Sequence, residues 1–405
     1  MTISSFAILL LVASLVALVS RRVRFPYSVG LFLTGALMAA LGYSGNVELT
    51  GDLIFNAFLP PLIFEAAFAL QWKEIRPQLA RVLLLATLGV VLSAVLVAYA
   101  MHGMIAWALP TAFVFGSLIA ATDPVAVLAI LKEVRVRQDL SVLLESESLF
   151  NDAIAAVVFG VAMAGLSGLS PTVPEVALGV ARELVGGLVI GFVVAKALVF
   201  MAGKTNDHLV EIMLTSVAAF GSFAIASHFH ASGILASLVA GLLLSDSDQF
   251  TGHDGAGKET VTAFWQYAAF VANSILFLLI GIQGYGLIAA HPNRLLIAGA
   301  AILAAVAARA ATVYVLSGSL RWSRARVPMA YQHLLFWGGL RGALAVALAV
   351  SIPETISAAA DIQVATYGVV AFSVVMQGLT FKPLIKKLGV GGDEARVLPI
   401  TVGEG

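Results

Sequence analysis

The feature that most constrains this chain is a succession of long apolar runs, each near the length of a bilayer-crossing helix, divided by short polar breaks. Sixty per cent of the 405 residues are hydrophobic and 11% are charged, against about 25% charged in ordinary soluble domains. No water-soluble core can hide that much apolar surface. Within hydrocarbon every backbone N–H and C=O must be satisfied internally, so only helices and closed barrels span. Continuous runs, rather than alternating segments of about ten residues, select helices. The chain reads as an all-α polytopic membrane protein.

The breaks place about thirteen spans, near 3–20, 27–43, 48–70, 79–101, 107–131, 139–166, 174–201, 208–229, 231–245, 260–283, 293–320, 328–351 and 360–385. The first is no signal peptide, because Arg21, Arg22 and Arg24 follow its apolar run instead of preceding it. In alternate loops the basic residues, among them Lys73, Arg81, Lys132, Arg137, Lys204, Lys258, Arg324, Lys386 and Arg396, fall on one side. Arg294 alone falls on the other. By the positive-inside rule the N-terminus lies outside and the C-terminus in the cytoplasm, in a multi-pass cell (inner) membrane protein. The 23 Lys+Arg against 23 Asp+Glu identify no partner beyond the lipid bilayer, and no nucleic acid is expected. Cysteine is absent, which excludes disulfides and thiolate metal sites.

Two spans look broken. The fifth carries Thr122-Asp123-Pro124, where proline removes a backbone donor and pushes the preceding residue out of helical geometry. The twelfth carries FWGGLRGALA, with Gly338, Gly339 and Gly342 around Arg341. If spans 1–6 and 8–13 are inverted repeats, both breaks occupy the fifth helix of a repeat, which is how a transporter with a midplane site is built. An acid or base at membrane depth costs about 2.5–3.5 kcal/mol on insertion scales. Asp123, Glu145, Glu147, Asp152 and Arg341 therefore mark a site for a cation or a proton.

Ser148 and Asp152 are four residues apart, as are Glu147 and Asn151, so each pair shares a helix face. Glu147 and Asp152 lie about 140° apart around the helix and face different neighbours. Arg341 is the natural counter-ion for Glu147, through charge-assisted bonds. Asp123 balances the positive ends of the broken helices. Asp152 is left without a fixed partner, and low dielectric disfavours its charged form. It then takes a proton unless a cation neutralises it, with oxygens from Thr122, Ser148 and water completing the shell of a hard monovalent ion.

ATDPVAVLAILKE, ESLFNDAIAAVVF, PPLIFEAAF from Pro60 to Phe68 and GGLRGALAVALA together resemble the cation/proton antiporter-1 family, of NhaP-type sodium/proton antiporters and eukaryotic sodium/hydrogen exchangers. The resemblance covers essentially the whole chain. It implies one membrane domain of thirteen helices with crossed, unwound helices 5 and 12, an ion-carrying core over 79–166 and 293–388, and a dimerisation part over 1–78 and 167–292. It implies an ion site at Asp152 with Thr122, Ser148 and Glu147 nearby, Asn151 supporting the crossing, Arg341 paired to Glu147, and Glu65 near the ion path. The expected activity is alternating-access exchange of Na+, or of Li+ or K+, for H+ by a homodimer serving pH homeostasis, without a cofactor. Electrogenic relatives carry two adjacent aspartates and a lysine in the core helix. Here Asn151-Asp152 and Arg309 stand instead, and an arginine does not release its proton, so exchange should be electroneutral.

Other features are read more plainly. Glu145 lies on the face of Asp152, about 10 Å along the helix, and either lines a cytoplasmic funnel or sits in solvated headgroup territory, the second being favoured. The histidines sit mostly at span ends, although His253 could titrate near neutrality. The loop 245–259 is a solvated acidic stretch rather than a calcium loop, and Trp107, Trp265 and Trp322 suit an aromatic belt. The chain stops soon after the thirteenth span, which points to a prokaryotic source. Two alternatives stay open: a channel or ion-coupled symporter on the same scaffold, and, remotely, an intramembrane serine protease built on Gly165-Leu166-Ser167-Gly168 with His228 or His230 as base.

Overall fold

The computed structural model describes residues 3–23, 25–43, 49–166, 172–203, 207–247, 256–321, 323 and 325–391. Arg24, Lys204, Arg324, Arg396, Trp322, His253 and the Ser167-Gly168 pair of the protease-like motif lie outside these. The helices, in order, are α1 (Ile3–Val23), α2 (Tyr27–Ala40), α3 (Gly51–Ala69), α4 (Trp72–Ile105), α5 (Leu109–Ala120), α6 (Val125–Val134), α7 (Gln138–Leu166) and α8 (Val173–Ala202). There follow α9 (His208–His228), α10 (Gly233–Ser245), α11 (Ala256–Ala290), α12 (Leu295–Ser319), α13 (Met329–Trp337), α14 (Ala343–Val350) and α15 (Ala359–Leu388). Among the described residues there is no strand, only an isolated antiparallel bridge between Val136 and Gly391. Nine of the described helices are long and apolar enough to cross a membrane, and α2, α5 and α10 are shorter apolar helices.

The exterior is apolar, as lipid requires. Leu11, Leu15 and Leu18 of α1 and Phe192 and Phe200 of α8 stand exposed. In lipid, apolar side chains gain little by meeting each other, so helices associate through close backbone approach at small residues. The α2–α11 pair shows this clearly. A Cβ on Gly35 would overlap the Leu278 carbonyl, and one on Gly281 would overlap that of Phe32. Tyr27 adds a polar clamp: its ring stacks on Phe270 at 5.1 Å, and its hydroxyl meets Ser274 Oγ at 2.7 Å. Trp265, expected in an interfacial belt, is buried, its Nε1 donating to Thr215 Oγ1 at 3.0 Å and its ring against Phe64. The belt pattern fails there because α11 packs against α3 and α9 at the level of Trp265, which encloses the ring.

Wide π-type turns interrupt α3, α4, α9 and α15, the last over Ser373–Gln377. Such turns re-aim side chains without ending a helix.

Gly35→Val should destabilise the α2–α11 contact by about 1–3 kcal/mol and lower the thermal midpoint in detergent. Gly299→Ala should not, since nothing lies within 4 Å of an added Cβ there. Equal midpoints for the two variants would contradict this packing.

Candidate functional site

The stretch between α5 and α6 and the stretch between α13 and α14 meet. Ala121 ends α5 in an extended conformation (ψ 140), and Thr122, Asp123 and Pro124 continue it. Both stretches leave backbone groups that no helix satisfies, and buried groups of that kind need partners. They satisfy each other. Asp123 N donates to the Leu340 carbonyl at 2.7 Å, and Arg341 Nη1 donates to the Ala121 carbonyl at 2.9 Å. Arg341 N donates to Ser373 Oγ at 2.7 Å, from the π-type turn of α15. A Cβ on Gly342, the residue that caps α14, would overlap the Asp123 carboxylate. Glycine there lets the acid sit against the positive end of a half-helix, where a carboxylate is favoured.

The ion pair differs from the expected one. Glu147 was assigned to Arg341, but its two oxygens accept from Arg309 of α12, Nη1 at 2.8 Å and Nη2 at 3.1 Å. Both side chains are buried, at 7% and 2% exposure. Arg309 Nη2 also donates to the Leu335 carbonyl at 3.0 Å, tying α13 to the pair. The physical reason is space. A Cβ on Gly339 would come within 2.6 Å of Arg309 Nε, so the glycine opens the slot through which α12 reaches Glu147. Arg341 is taken up by the Ala121 carbonyl, though it remains within electrostatic reach of Glu147 and Asp152.

Behind the interruptions a polar chain joins α7 to the fifth-span break. Asn151 Nδ2 donates to Thr122 Oγ1 at 3.1 Å and more weakly to Glu147 Oε1 at 3.4 Å. The Thr122 hydroxyl donates to Ser148 Oγ at 3.2 Å, and the Ser148 hydroxyl donates to the Thr122 carbonyl. All four residues are buried. Asn151 thus ties α7 to the interruption.

Asp152 stands apart from this chain. Its Oδ1 is buried and has no hydrogen-bond partner. It faces a cavity of about 60 Å³, whose polar lining is Thr122, Asp123, Asp152 and Asn273 and whose wall includes Leu59, Ile63 and Ala66 of α3. Ser148, Asn151 and Glu147 do not line it. Asp123, Glu147 and Arg341 are the charges that act on Asp152.

On α3, Glu65 is half-buried and lies in the electrostatic field of Lys132. Glu145 is half-buried and grouped with Lys132, Glu65 and Glu74, because α3 packs against α7 and turns Glu65 toward it. Two contributors escaped the sequence reading. Asn273 could have been noticed as an amide inside an apolar helix, whereas Ser373 gives no sequence signal, since only the π-type turn aims it inward.

The pattern described as sodium/hydrogen exchanger, transmembrane, matches residues 8–387. The chain belongs to that family. Exchanger relatives extend over most of it. It is 35% identical over 382 residues to the Na+/H+ antiporter ApNhaP of Aphanothece halophytica, covering 92% of this chain and 71% of that one. It is 32% identical over 400 residues to the Na+/H+ antiporter NhaH of Halobacillus dabanensis, covering 95% and 97%. The solved structure of the sodium proton antiporter MjNhaP1 from Methanocaldococcus jannaschii superposes with a TM-score of 0.73 over 95% of this chain and 98% of that one. At 20% identity that likeness establishes the fold. Membership in an exchanger family leaves the channel, symporter and protease readings without support.

Removing only Arg309 strands a buried carboxylate, which costs about 3–5 kcal/mol. Arg309→Met should therefore lower the unfolding midpoint sharply, and adding Glu147→Gln should recover much of the loss. Strictly additive losses in that double-mutant cycle would contradict a direct pair.

Proposed function

We propose that this exchanger carries Na+ in one direction and H+ in the other, each in turn neutralising the same carboxylate, Asp152. The observation that carries the reading is the balance of charge at the two interruptions. Three acids, Asp123, Glu147 and Asp152, meet two arginines, Arg309 and Arg341; Asp123 and Asp152 both line the cavity, and Asp152 carries a buried Oδ1 with no hydrogen-bond partner. One negative charge is in surplus. A proton cancels it, and so does one monovalent cation, but not both together. Thr122, which lines the cavity, supplies oxygen on one side of the ion and Ser148 positions it through its hydrogen bonds to Thr122, while Glu147, with both oxygens held by Arg309, serves charge balance rather than coordination.

Stoichiometry follows from the same count. A charge crossing 100 mV gains or loses about 2.3 kcal/mol. Because the site is neutral whether loaded with H+ or Na+, neither crossing feels the potential, and one cation leaves for each proton. The relatives named as Na+/H+ antiporters support sodium as the cation.

In this reading the nine long helices, the short helices α2 and α10 and the two interrupted pairs α5–α6 and α13–α14 all count as spans. That makes thirteen in two inverted repeats, with the interrupted helices crossing at the fifth position of each. Residues 79–166 and 293–388 form the moving core, and 1–78 and 167–292 the static part through which two copies pair. The N-terminus lies outside and the C-terminus in the cytoplasm of the inner membrane, where Glu65 and Glu145 line the cytoplasmic approach. Its service to the cell is pH homeostasis.

Proteoliposomes test this directly. Wild-type protein should give Na+-dependent proton flux that an imposed membrane potential leaves unchanged, and Asp152→Asn should abolish it. Full flux in the variant, or a rate that follows the potential, would overturn the reading.

A further inference from the structure

We propose that Asn273 of α11 is a cation ligand, supplied to the site from outside the core, and that it serves the cation and not the proton. The inference rests on the antiport reading above and assigns a specificity role within it.

Asn273 and Asp152 line the same cavity, from helices that belong to different parts of the molecule. Each presents a buried oxygen without a hydrogen-bond partner, Oδ1 in both cases. Two acceptor oxygens on residues that line one void cannot satisfy each other while Asp152 is ionised. A hard cation satisfies both, since carboxylate and amide carbonyl are the oxygens such ions take. The void of about 60 Å³ is of the right order for one small ion with a water beside it.

What holds Asn273 separates it from the rest of the site. Its neighbour Ser274 donates to the Phe270 carbonyl at 2.5 Å and bonds the Tyr27 hydroxyl, which reaches Ala13 O at 3.3 Å. Together with the interlocked glycines 35 and 281, this fixes α11 to α1 and α2. Asp152, Thr122 and Asp123 are instead carried by α7 and the fifth-span interruption, which bond to Leu340 and Arg341 of the other interruption. Movement of one unit against the other changes the distance from Asn273 to Asp152 and leaves the distance from Thr122 to Asp152 as it is. A cation thereby gains or loses one ligand on that movement, whereas a proton, held by a covalent O–H bond, gains or loses none. The shell that includes Asn273 is the one that discriminates cation from proton, and its loss favours cation release.

The experiment is Na+-dependent proton flux in proteoliposomes for wild type, Asn273→Ala, Asn273→Asp and Asp152→Asn, with a thermal unfolding series at rising NaCl in detergent. Asn273→Ala should raise the KM for Na+ about tenfold or more, one neutral ligand being worth about a factor of ten, or 1.4 kcal/mol. Its rate at saturating Na+ should stay within about threefold, and its midpoint without Na+ should be unchanged. Asn273→Asp keeps the oxygen and adds a charge, so its KM should not rise and its rate should become sensitive to membrane potential. If Asn273→Ala gives too little flux to measure, loss of the Na+-induced thermal shift with an unchanged Na+-free midpoint supports the assignment. A wild-type KM or a retained shift overturns it, as does a collapsed Na+-free midpoint. If Asp152→Asn is inactive while Asn273→Ala keeps the wild-type KM, this proposal alone fails. If Asp152→Asn is fully active, the antiport site itself fails and this proposal with it.

Discussion

The structure depends on two broken helices completing each other. Interrupting a helix in hydrocarbon strands backbone donors and acceptors where nothing else can meet them, each at a cost of several kcal/mol. Here the Asp123 amide finds the Leu340 carbonyl, and the Arg341 guanidinium finds the Ala121 carbonyl. Each interruption supplies what the other lacks. Their pairing brings the charged residues of distant sequence segments to one place, and the chemistry follows from that meeting.

Charge is then handled by division of labour. A buried fork of two parallel bonds, Arg309 to Glu147, fixes α12 to α7 and presents no free acid. Arginine suits this, since its planar guanidinium makes both bonds at once and keeps its charge. Asp123 is placed against the positive end of a half-helix. What remains is Asp152, close enough to Arg341 to be held in a polar field yet without a hydrogen bond on its buried oxygen. A permanent partner would quench the acid, and isolation in lipid would leave it protonated at all times. In the antiport proposed here, a cavity between these extremes is what would let two competing cations exchange.

Much of this was legible in the sequence, for identifiable reasons. Hydropathy marked the helices because lipid imposes one rule on every span. Pro124 and the glycines around Arg341 marked the interruptions because they are the residues that break helices most cheaply. The acids stood out because charge at that depth is costly. What could not be read was which arginine meets which acid. Spacing along α7 sets the direction in which Glu147 points, but whether Arg309 or Arg341 arrives there depends on the slot at Gly339, which is a matter of three-dimensional packing. Ser373 was hidden for a similar reason, since only the π-type turn of α15 aims it inward. Asn273 depends on how α11 packs over the cavity, and Trp265 on how α11 packs against α3 and α9.

If one carboxylate holds either ion but never both, loading the cation must expel the proton. Calorimetric titration of the purified protein with NaCl, repeated in buffers of different ionisation heat, measures that coupling directly. At a pH where the unloaded site is protonated, the heats should change linearly with buffer ionisation heat, at a slope approaching one proton released for each Na+ bound. A slope of zero, with Na+ binding intact, would mean that the two ions do not compete for one charge.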